Sequence, residues 1–236
     1  MKLKKYDKKY DFSYTFGVSP TIELLLKKPE IVRLVLIHSD GEKSDGGRAL
    51  KELCRKHSIK FEIASKAIDR ISAKENTYAI GVFKKYRTSV VPNANHVLLM
   101  NPSNPGNLGT IIRSMVGFDF NDLAVIRPAV DAFDPKVVRA SMGSVFDLKF
   151  EYFDSFDQYV KRFTGHNLYP FVLHGKNKLK DITFNKPFTL IFGKESSGLS
   201  SNFSNIGTSV YIPHSKNIDS LNLHVAASIG MYESLK

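Results

Sequence analysis

Two asparagines, two glycines and one arginine lie close together in residues 104–113 (NPGNLGTIIR). Pro105 and Gly106 predict a turn, because neither fits well inside a helix or a central strand. The apolar run 96–100 before them predicts a buried strand, and the apolar spacing after them predicts a helix buried on one side. Arg113 is therefore expected near a helix start, beside a strand end, where open α/β folds bind ligands. A plain turn is the alternative interpretation of this segment alone.

Two later segments have the same form. Residues 189–199 (TLIFGKESSGL) predict a buried strand that opens into a glycine loop holding one carboxylate, Glu195. Residues 210–214 (VYIPH) predict a strand that ends at Pro213, and the polar loop after it leads through Ser220 and Asn222 into a helix of small residues. The chain thus contains three strand–loop–helix junctions with polar side chains.

In this order, the three segments resemble motifs 1, 2 and 3 of the SpoU/TrmH family of RNA 2'-O-ribose methyltransferases. The resemblance covers residues 92–236, and a weaker one reaches back to about residue 15. It implies an α/β fold with a mostly parallel sheet, a C-terminal trefoil knot of the SPOUT type, and S-adenosylmethionine as the cofactor. Near-continuous apolar strands separated by helices independently indicate a mostly parallel sheet.

The resemblance assigns catalytic roles to five residues. It implies that Arg113 activates the ribose 2'-OH. An arginine stays protonated, so we do not expect it to remove the proton itself. We expect Arg113 to orient the hydroxyl and stabilise the developing alkoxide while a phosphate takes the proton. Asn107 is expected to hold Arg113 or contact substrate, with a simple turn as the alternative. Glu195 is expected to pair with Arg113 or contact RNA, or else to be a helix-start charge. Ser220 and Asn222 are expected to cap the last helix and face the donor or ribose.

Cofactor contacts are expected to come mainly from the backbone of the same loops. The predicted cofactor-binding residues are Gly193, Ile212, Leu221, Leu173 and His174. His214 and His224 stand where relatives more often carry a methionine and a small residue. We expect local variation there, with contact between His214 and the substrate left open.

The chain divides by pattern into a basic tail (1–14), an RNA substrate-binding domain (15–88) and a methyltransferase domain (92–236). In the middle segment, strands are predicted at 32–37, 60–63 and 79–83, and helices from Ser19-Pro20, over 47–57 and over 67–71. This small α/β/α domain resembles the ribosomal-protein-like domain of many relatives. Residues 76–81 depart from the His-Gln-Gly that relatives commonly show, so the RNA-contacting residues are not identified.

The last domain continues as alternating strands and helices. After the first junction, the pattern predicts strands at 123–126, 171–174, 190–192 and 210–212 and a helix over 135–140. It contains neither the glycine fingerprint of a dinucleotide-binding fold nor a Walker-type loop. A nucleotide-dependent dehydrogenase is therefore disfavoured.

The charge of the chain is uneven. The net charge is +11, and residues 1–87 hold 20 Lys and Arg against 11 Asp and Glu, an excess of nine. A basic N-terminal third favours a polyanionic partner, although a Lys-rich proteome would give a similar excess. The single cysteine, Cys54, excludes an internal disulfide, and no histidine lies at metal-ligand spacing, so no metal is predicted. With no apolar stretch near transmembrane length, we expect a cytoplasmic protein.

The resemblance therefore implies an S-adenosylmethionine-dependent RNA 2'-O-ribose methyltransferase that acts as a homodimer. Ribosomal RNA is favoured as the substrate, because the extra N-terminal domain is more typical of relatives that modify ribosomal RNA. A tRNA methyltransferase is one alternative. A catalytically silent RNA-binding or ribosome-assembly protein of the same fold is the other.

Overall fold

A computed structural model describes residues 3–72 and 76–236 of the chain. The chain forms two compact units, one made of Met1–Tyr86 with Asp131–Asp147, and one made of Arg87–Val130 with Leu148–Lys236. Residues 1 and 2 of the predicted tail and 73–75 of the predicted RNA-binding domain lie outside the described residues. Within the described residues, no helix is long and apolar enough to cross a membrane.

Strands and helices are numbered here in chain order. The strands are β1 (Phe12–Phe16), β2 (Val32–Ile37), β3 (Phe61–Ile63), β4 (Ala79–Lys84), β5 (His96–Met100), β6 (Asp122–Ile126), β7 (Lys149–Phe153), β8 (Asn167–Pro170), β9 (Asn177–Lys178), β10 (Phe188–Phe192) and β11 (Val210–Tyr211). The helices are α1 (Val18–Lys27), α2 (Asp45–Lys56), α3 (Ser65–Ile71), α4 (Pro105–Gly117), α5 (Pro135–Ala140), α6 (Phe156–Arg162) and α7 (Leu223–Glu233).

The first unit is a sheet covered by helices on both faces. Its strand order is β1-β4-β2-β3, in which β2 and β3 are parallel and the other pairs antiparallel. Leu25 of α1 and Cys54 of α2 pack with Val35 on one face. Ile68 of α3 packs with Tyr14 on the other face. Because side chains alternate between the faces of a strand, this sheet has apolar residues on both sides.

Within the predicted basic tail 1–14, the described residues 3–14 are not free of the first unit. Leu3 is buried, and the Tyr14 hydroxyl donates to the carbonyl oxygen of Lys4 at 2.5 Å. Residues 12–14 belong to β1, which pairs with β4. The lysine-rich run at residues 2–9 led to the prediction of a tail, whereas the alternating aromatic and hydroxyl side chains after it favour a strand. Helix α1 also differs slightly from its prediction, because its N-cap is Gly17 and no side chain caps it.

The segment Asp131–Asp147, which includes α5, packs within the first unit. The Asp131 carboxylate lies 2.7 Å from the Lys85 ammonium and accepts a hydrogen bond of 2.7 Å from the Tyr6 hydroxyl. The Ser13 hydroxyl donates to the carbonyl oxygen of Phe133. The sequence analysis placed these residues in the domain 92–236, because a pattern of elements shows chain order and not which sheet a helix packs against.

The second unit is built on a fully parallel five-stranded sheet with the order β7-β6-β5-β10-β8. This confirms the predicted α/β fold with a mostly parallel sheet. Phe153, Tyr159, Phe163 and Ile191 form part of the core on the face that α6 covers. Strand β7 and helix α6 were not predicted. The knot stays a prediction.

The predicted strand 171–174 is wrong in position. The strand is β8, four residues earlier, and Phe171 forms a single bridge to Val210 beyond its end. Strand β11 does not join the main sheet but pairs in parallel with β9. Strand β8 ends at Pro170, which an edge strand accepts because one of its sides forms no ladder.

Helices α4 and α7 lie side by side. The Ser228 hydroxyl donates to the carbonyl oxygen of His224 at 2.8 Å, and its oxygen lies 2.9 Å from the Ser114 hydroxyl, within hydrogen-bond distance. A Cβ atom on Gly230 would come within 2.7 Å of the Phe171 ring and 3.1 Å of the Phe192 ring. The glycine therefore allows α7 to pack directly on the end of β10.

A chain of buried hydrogen bonds lies at the amino ends of β5 and β10. His96 Nδ1 lies 2.7 Å from the Tyr159 hydroxyl, which lies 2.7 Å from the Thr189 hydroxyl, and that hydroxyl lies 2.8 Å from His166 Nδ1. The Nε2 atoms of the two histidines donate to the carbonyl oxygens of residues 91 and 92, at 2.8 and 2.6 Å. Burial lowers the pKa of His96 to about 4 and raises that of Tyr159 above its usual range.

Candidate active site

A cavity of about 540 Å³ opens at the carboxyl end of β10. Its walls come from three loops of the second unit, at residues 171–174, 193–201 and 212–221, and from the start of α7. Parallel α/β sheets bind ligands at this edge, because the loops that follow neighbouring strands converge there. The volume lies in the usual range of about 300–1,000 Å³ for small-molecule sites.

The loop after β10 is a tight hairpin. The Lys194 amide donates to the Gly198 carbonyl at 3.1 Å, and the Gly198 amide donates to the Lys194 carbonyl at 2.8 Å. A Cβ atom on Gly193 would lie 2.1 Å from the carbonyl carbon of Gly198. Gly198 itself has a φ of 64°, a conformation that glycine adopts without strain. The two glycines fix the path of the loop, and Glu195 is exposed at its tip.

The loop after β11 carries several polar side chains to the same cavity. Asp219 and Ser220 line it and are exposed, and Leu221 follows them. His214 also lines the cavity, and its Nδ1 lies 2.8 Å from the carbonyl oxygen of Ile212.

Asn222 is the N-cap residue of α7 through its backbone. Its carbonyl oxygen accepts from the amides of Val225 and Ala226, both at 3.0 Å, and no side chain caps the helix. The predicted side-chain cap from Ser220 or Asn222 is therefore absent among the described residues. Both side chains are exposed and stay available for other contacts.

Helix α4 begins with an asparagine cap. The Asn104 side-chain oxygen accepts from the amides of Gly106 and Asn107, at 2.8 and 3.2 Å. The side-chain oxygen of Asn107 lies 3.1 Å from His224 Nδ1 of α7, and its side-chain nitrogen is buried with no partner among the described residues. A turn formed by the side chain of Asn107 was the alternative to a site role, but the side chain that caps this turn is that of Asn104.

Arg113 lies on α4 with its side chain exposed. Within the described parts of the chain, its guanidinium has no hydrogen bond or ion pair. In particular, the predicted ion pair with Glu195 is not formed. Arg113 lies nine residues into the helix, further from its start than the turn at Pro105 suggested.

The structure brings seven of the ten predicted site residues to the cavity. They are Leu173, His174, Gly193, Glu195, Ile212, Ser220 and Leu221. Arg113, Asn107 and Asn222 are not among the residues that line it. The seven come from all three loops, so the cavity collects residues that are far apart in sequence.

Sequence reasoning missed much of the polar wall of the cavity. Besides Ser220, five serines line it, namely Ser196, Ser197, Ser200, Ser201 and Ser204. Asp219 and Lys194 line it as well, and Phe171 and Leu223 add apolar surface. The available signal was that most of these residues lie in the loops that follow the strands β10 and β11, since parallel sheets bind ligands at such ends.

The walls of the cavity suit a nucleoside-sized cofactor. Leu173, Ile212 and Leu221 supply apolar surface for a planar base. The serine hydroxyls and loop amides supply hydrogen-bonding groups for a ribose and an amino-acid portion. Among the described residues, no group of three or more His, Cys, Asp or Glu is placed to hold a metal ion.

The family model for the SpoU rRNA methylase family matches residues 94–232, which contain all three loops. The chain belongs to the SpoU rRNA methylase family. Among its relatives, a putative tRNA (cytidine(34)-2'-O)-methyltransferase from Listeria innocua is 32% identical over 148 residues, which cover 60% of this chain and 87% of the relative. The 23S rRNA (guanosine(2553)-2'-O)-methyltransferase RlmP from Bacillus subtilis is 26% identical over 89% of this chain and 84% of its own length.

Solved structures of SpoU methyltransferases have the same fold. The crystal structure of AviRb from Streptomyces viridochromogenes in complex with the cofactor AdoMet matches with a TM-score of 0.79 and 27% identity. The match covers 95% of this chain and 90% of AviRb. The family membership and this fold confirm the resemblance on which the sequence analysis relied.

Proposed function

We propose that this chain is an RNA methyltransferase that transfers the methyl group of S-adenosylmethionine to a ribose 2'-OH. The observation that carries the proposal is that two of the three motif loops, at residues 193–201 and 212–221, meet the loop 171–174 around one cavity of about 540 Å³. The similarity to AviRb, whose structure contains AdoMet, supports the choice of cofactor. An RNA substrate makes the cytoplasm the expected place of action.

Five cavity residues are proposed to hold the cofactor: Leu173, His174, Gly193, Ile212 and Leu221. When bound, S-adenosylmethionine supplies an electrophilic methyl group on a positively charged sulfur. Gly193 is needed for the path of its loop, because a Cβ atom there would collide with Gly198. We infer that this path leaves the loop backbone free to approach the ligand closely. Holding the methyl group in line with the ribose oxygen supplies much of the rate enhancement.

Arg113 is proposed to orient the 2'-OH and stabilise negative charge on its oxygen. An exposed guanidinium with no intramolecular partner among the described residues is available to an RNA phosphate or hydroxyl. Glu195, Ser220 and Asn222 are exposed and are proposed to contact the ribose or neighbouring nucleotides. Asn107 is proposed to support this site through the α4–α7 contact with His224.

Ribosomal RNA is the proposed substrate, and tRNA is the alternative. The match to the Bacillus rRNA enzyme extends over 89% of this chain, whereas the match to the Listeria tRNA enzyme extends over 60%. Residues 15–88 are proposed to bind the RNA, because most of the net positive charge lies in residues 1–87.

A homodimer is proposed as the active form. Three apolar residues of α7 at helical spacing are exposed: Val225 by 37%, Ile229 by 36% and Tyr232 by 57%. Arg113 does not line the cavity of its own chain.

Light scattering is expected to give about twice the 26.6 kDa chain mass. Ile229→Glu is expected to give the monomer, and Leu26→Glu, an exposed residue of α1, to keep the dimer; a monomeric wild-type chain contradicts the proposal.

The function is tested with the full-length chain, total RNA and S-adenosylmethionine carrying a labelled methyl group. Labelled 2'-O-methyl nucleotides are expected, and the methylated position is expected to resist alkaline cleavage, which needs a free 2'-OH. Mapping the label to ribosomal RNA or tRNA chooses between the two substrates. Label on a base, or RNA binding without any methyl transfer, contradicts the proposal.

A further inference from the structure

Methyl transfer to a ribose hydroxyl releases a proton that some group must accept. Arg113 is unsuited to this, since arginine stays protonated in proteins. The charged and titratable side chains that line the cavity are His174, Lys194, Glu195, His214 and Asp219. Lysine is ordinarily protonated near neutral pH, and carboxylates are weaker bases than imidazole. The two histidines are therefore the groups best suited to accept the proton.

His214 differs from His174 in having a fixed ring. Its Nδ1 lies 2.8 Å from the carbonyl oxygen of Ile212. A carbonyl oxygen only accepts, so Nδ1 carries the hydrogen and donates it. In the neutral ring, the lone pair then belongs to Nε2, which has no hydrogen bond to any described residue. No hydrogen bond to another described residue fixes the ring of His174.

We propose that His214, rather than the phosphate expected from the sequence, is the catalytic base that accepts the proton of the ribose 2'-OH; this rests on the function proposed above. The ribose oxygen forms a bond to the methyl carbon as the carbon–sulfur bond breaks, and the electron pair of that bond stays on sulfur as a neutral thioether. The 2'-OH proton moves to Nε2 of His214. The resulting imidazolium keeps its Nδ1–H bond to Ile212 and later gives the proton to water.

The loop that carries His214 places this role beside the cofactor site. His214 is two residues beyond Ile212, which lines the same cavity, and Pro213 between them restricts the backbone. The bond to Ile212 therefore orients the base from a residue proposed to hold the cofactor. Arg113 and His214 then have separate roles, the first stabilising charge on oxygen and the second removing the proton.

The first test measures the tautomer of His214 by nitrogen NMR in the cofactor-free, full-length protein. The expected result is a protonated Nδ1 and an unprotonated Nε2 in the neutral ring. His214→Gln identifies the resonance, and the exposed position of the side chain makes unfolding of this variant unexpected. An Nε2–H tautomer overturns the proposal.

The second test measures methyl transfer against pH. The wild-type rate is expected to rise with pH through an acid limb to a plateau. His214→Gln is expected to lose the limb and about 10²–10⁴ in kcat while keeping its affinity for S-adenosylmethionine. His174→Gln, from the same cavity, is expected to weaken cofactor binding and keep the limb. If His214→Gln keeps a near-normal kcat and the acid limb of the pH profile, the role of His214 is wrong and the proposed function stands. If the wild-type chain produces no ribose methylation, the proposed function is wrong as well.

Discussion

The guanidinium of Arg113 is exposed and has no polar partner among the described residues. Replacing Arg113 therefore leaves no buried polar group without a hydrogen bond. We predict that Arg113→Ala lowers kcat by about 10²–10⁴ with the fold and cofactor affinity unchanged, because its contact is made mainly in the transition state. Arg113→Lys is expected to restore little, since an ammonium lacks the planar fork. Single-turnover assays measure both. Arg127→Ala, an exposed arginine elsewhere in the second unit, is the control, and an equal loss there would remove the special role of Arg113.

Gly193 offers a sharper steric test of the cavity. A Cβ atom there would lie 2.1 Å from Gly198 and 2.3 Å from Leu199, both through backbone atoms that cannot rotate away. We predict that Gly193→Ala displaces the loop and weakens S-adenosylmethionine binding at least about tenfold, measured by calorimetry. Gly165→Ala is the matched control, because nothing lies within 4 Å of its added Cβ. Equal affinity in the two variants would mean that the loop does not hold the cofactor.

The sequence predicted which loops form the cavity better than what each side chain does there. Gly193 directly follows β10, and Ser220 and Leu221 lie in the loop after β11, so the three residues line the same cavity. Asn107 was linked with Arg113 by proximity in sequence, but six residues along a helix place two side chains about 120° apart. Asn107 and Ser114, seven residues apart, instead share the side that faces α7. Which side of α4 faces α7 is determined by packing between two helices that are distant in sequence, so the local pattern around Asn107 does not show it.

The strands β5 and β10 are joined at their amino ends by the buried chain through His96. Burial holds the pKa of His96 at about 4, below the value near 6.5 of an unfolded chain. The unfolded state therefore binds the proton more readily, and stability falls as pH decreases from about 6.5 toward 4. We predict that the free energy of unfolding is about 2 kcal/mol lower at pH 5 than at pH 7 from this group alone.

Urea unfolding at the two pH values measures this effect. His96→Gln is expected to be less stable at pH 7, since it leaves the chain incomplete, and to lose most of the pH difference. His57→Gln, at the end of α2, is expected to keep that difference. A His96→Gln protein with the wild-type pH dependence would show that another group is responsible.

The elements were predicted best where one pattern was strong. The buried strands β2, β5, β6 and β10 agree with their apolar patterns within one or two residues, and the helix α4 was predicted but begins earlier than expected, at Pro105. β1 was hidden by the charge of the preceding lysines, and β7 (KFEYF) has a charged residue in its centre. Glu151 of β7 is there because it pairs with Arg162 of α6, a contact that cannot be read from either segment alone.

The chain as a whole does not divide at a single point, which changes how its parts can be separated. A fragment 92–236 contains the cavity but also residues 131–147, whose packing partners in the first unit it lacks. Phe133, for example, packs against Phe83 and Tyr86. We predict that this fragment aggregates, and that replacing 131–147 with a flexible linker of about ten residues restores a folded, cofactor-binding unit. Circular dichroism and calorimetry test both. If the simple fragment folds equally well, residues 131–147 do not need their packing partners in the first unit, and the prediction is wrong.

The discontinuous first unit also sets an order of events during protein synthesis. A domain generally folds once its residues have left the ribosome, beginning at the N-terminus. Here the first unit is complete only when residue 147 has been made. By then the residues of β5, α4 and β6 of the second unit have been synthesised, while those of the neighbouring strands β7 and β10 have not. For that interval the nascent chain holds two unfinished cores at once, so the speed of translation across residues 87–147 is expected to govern how much of the protein reaches its folded state.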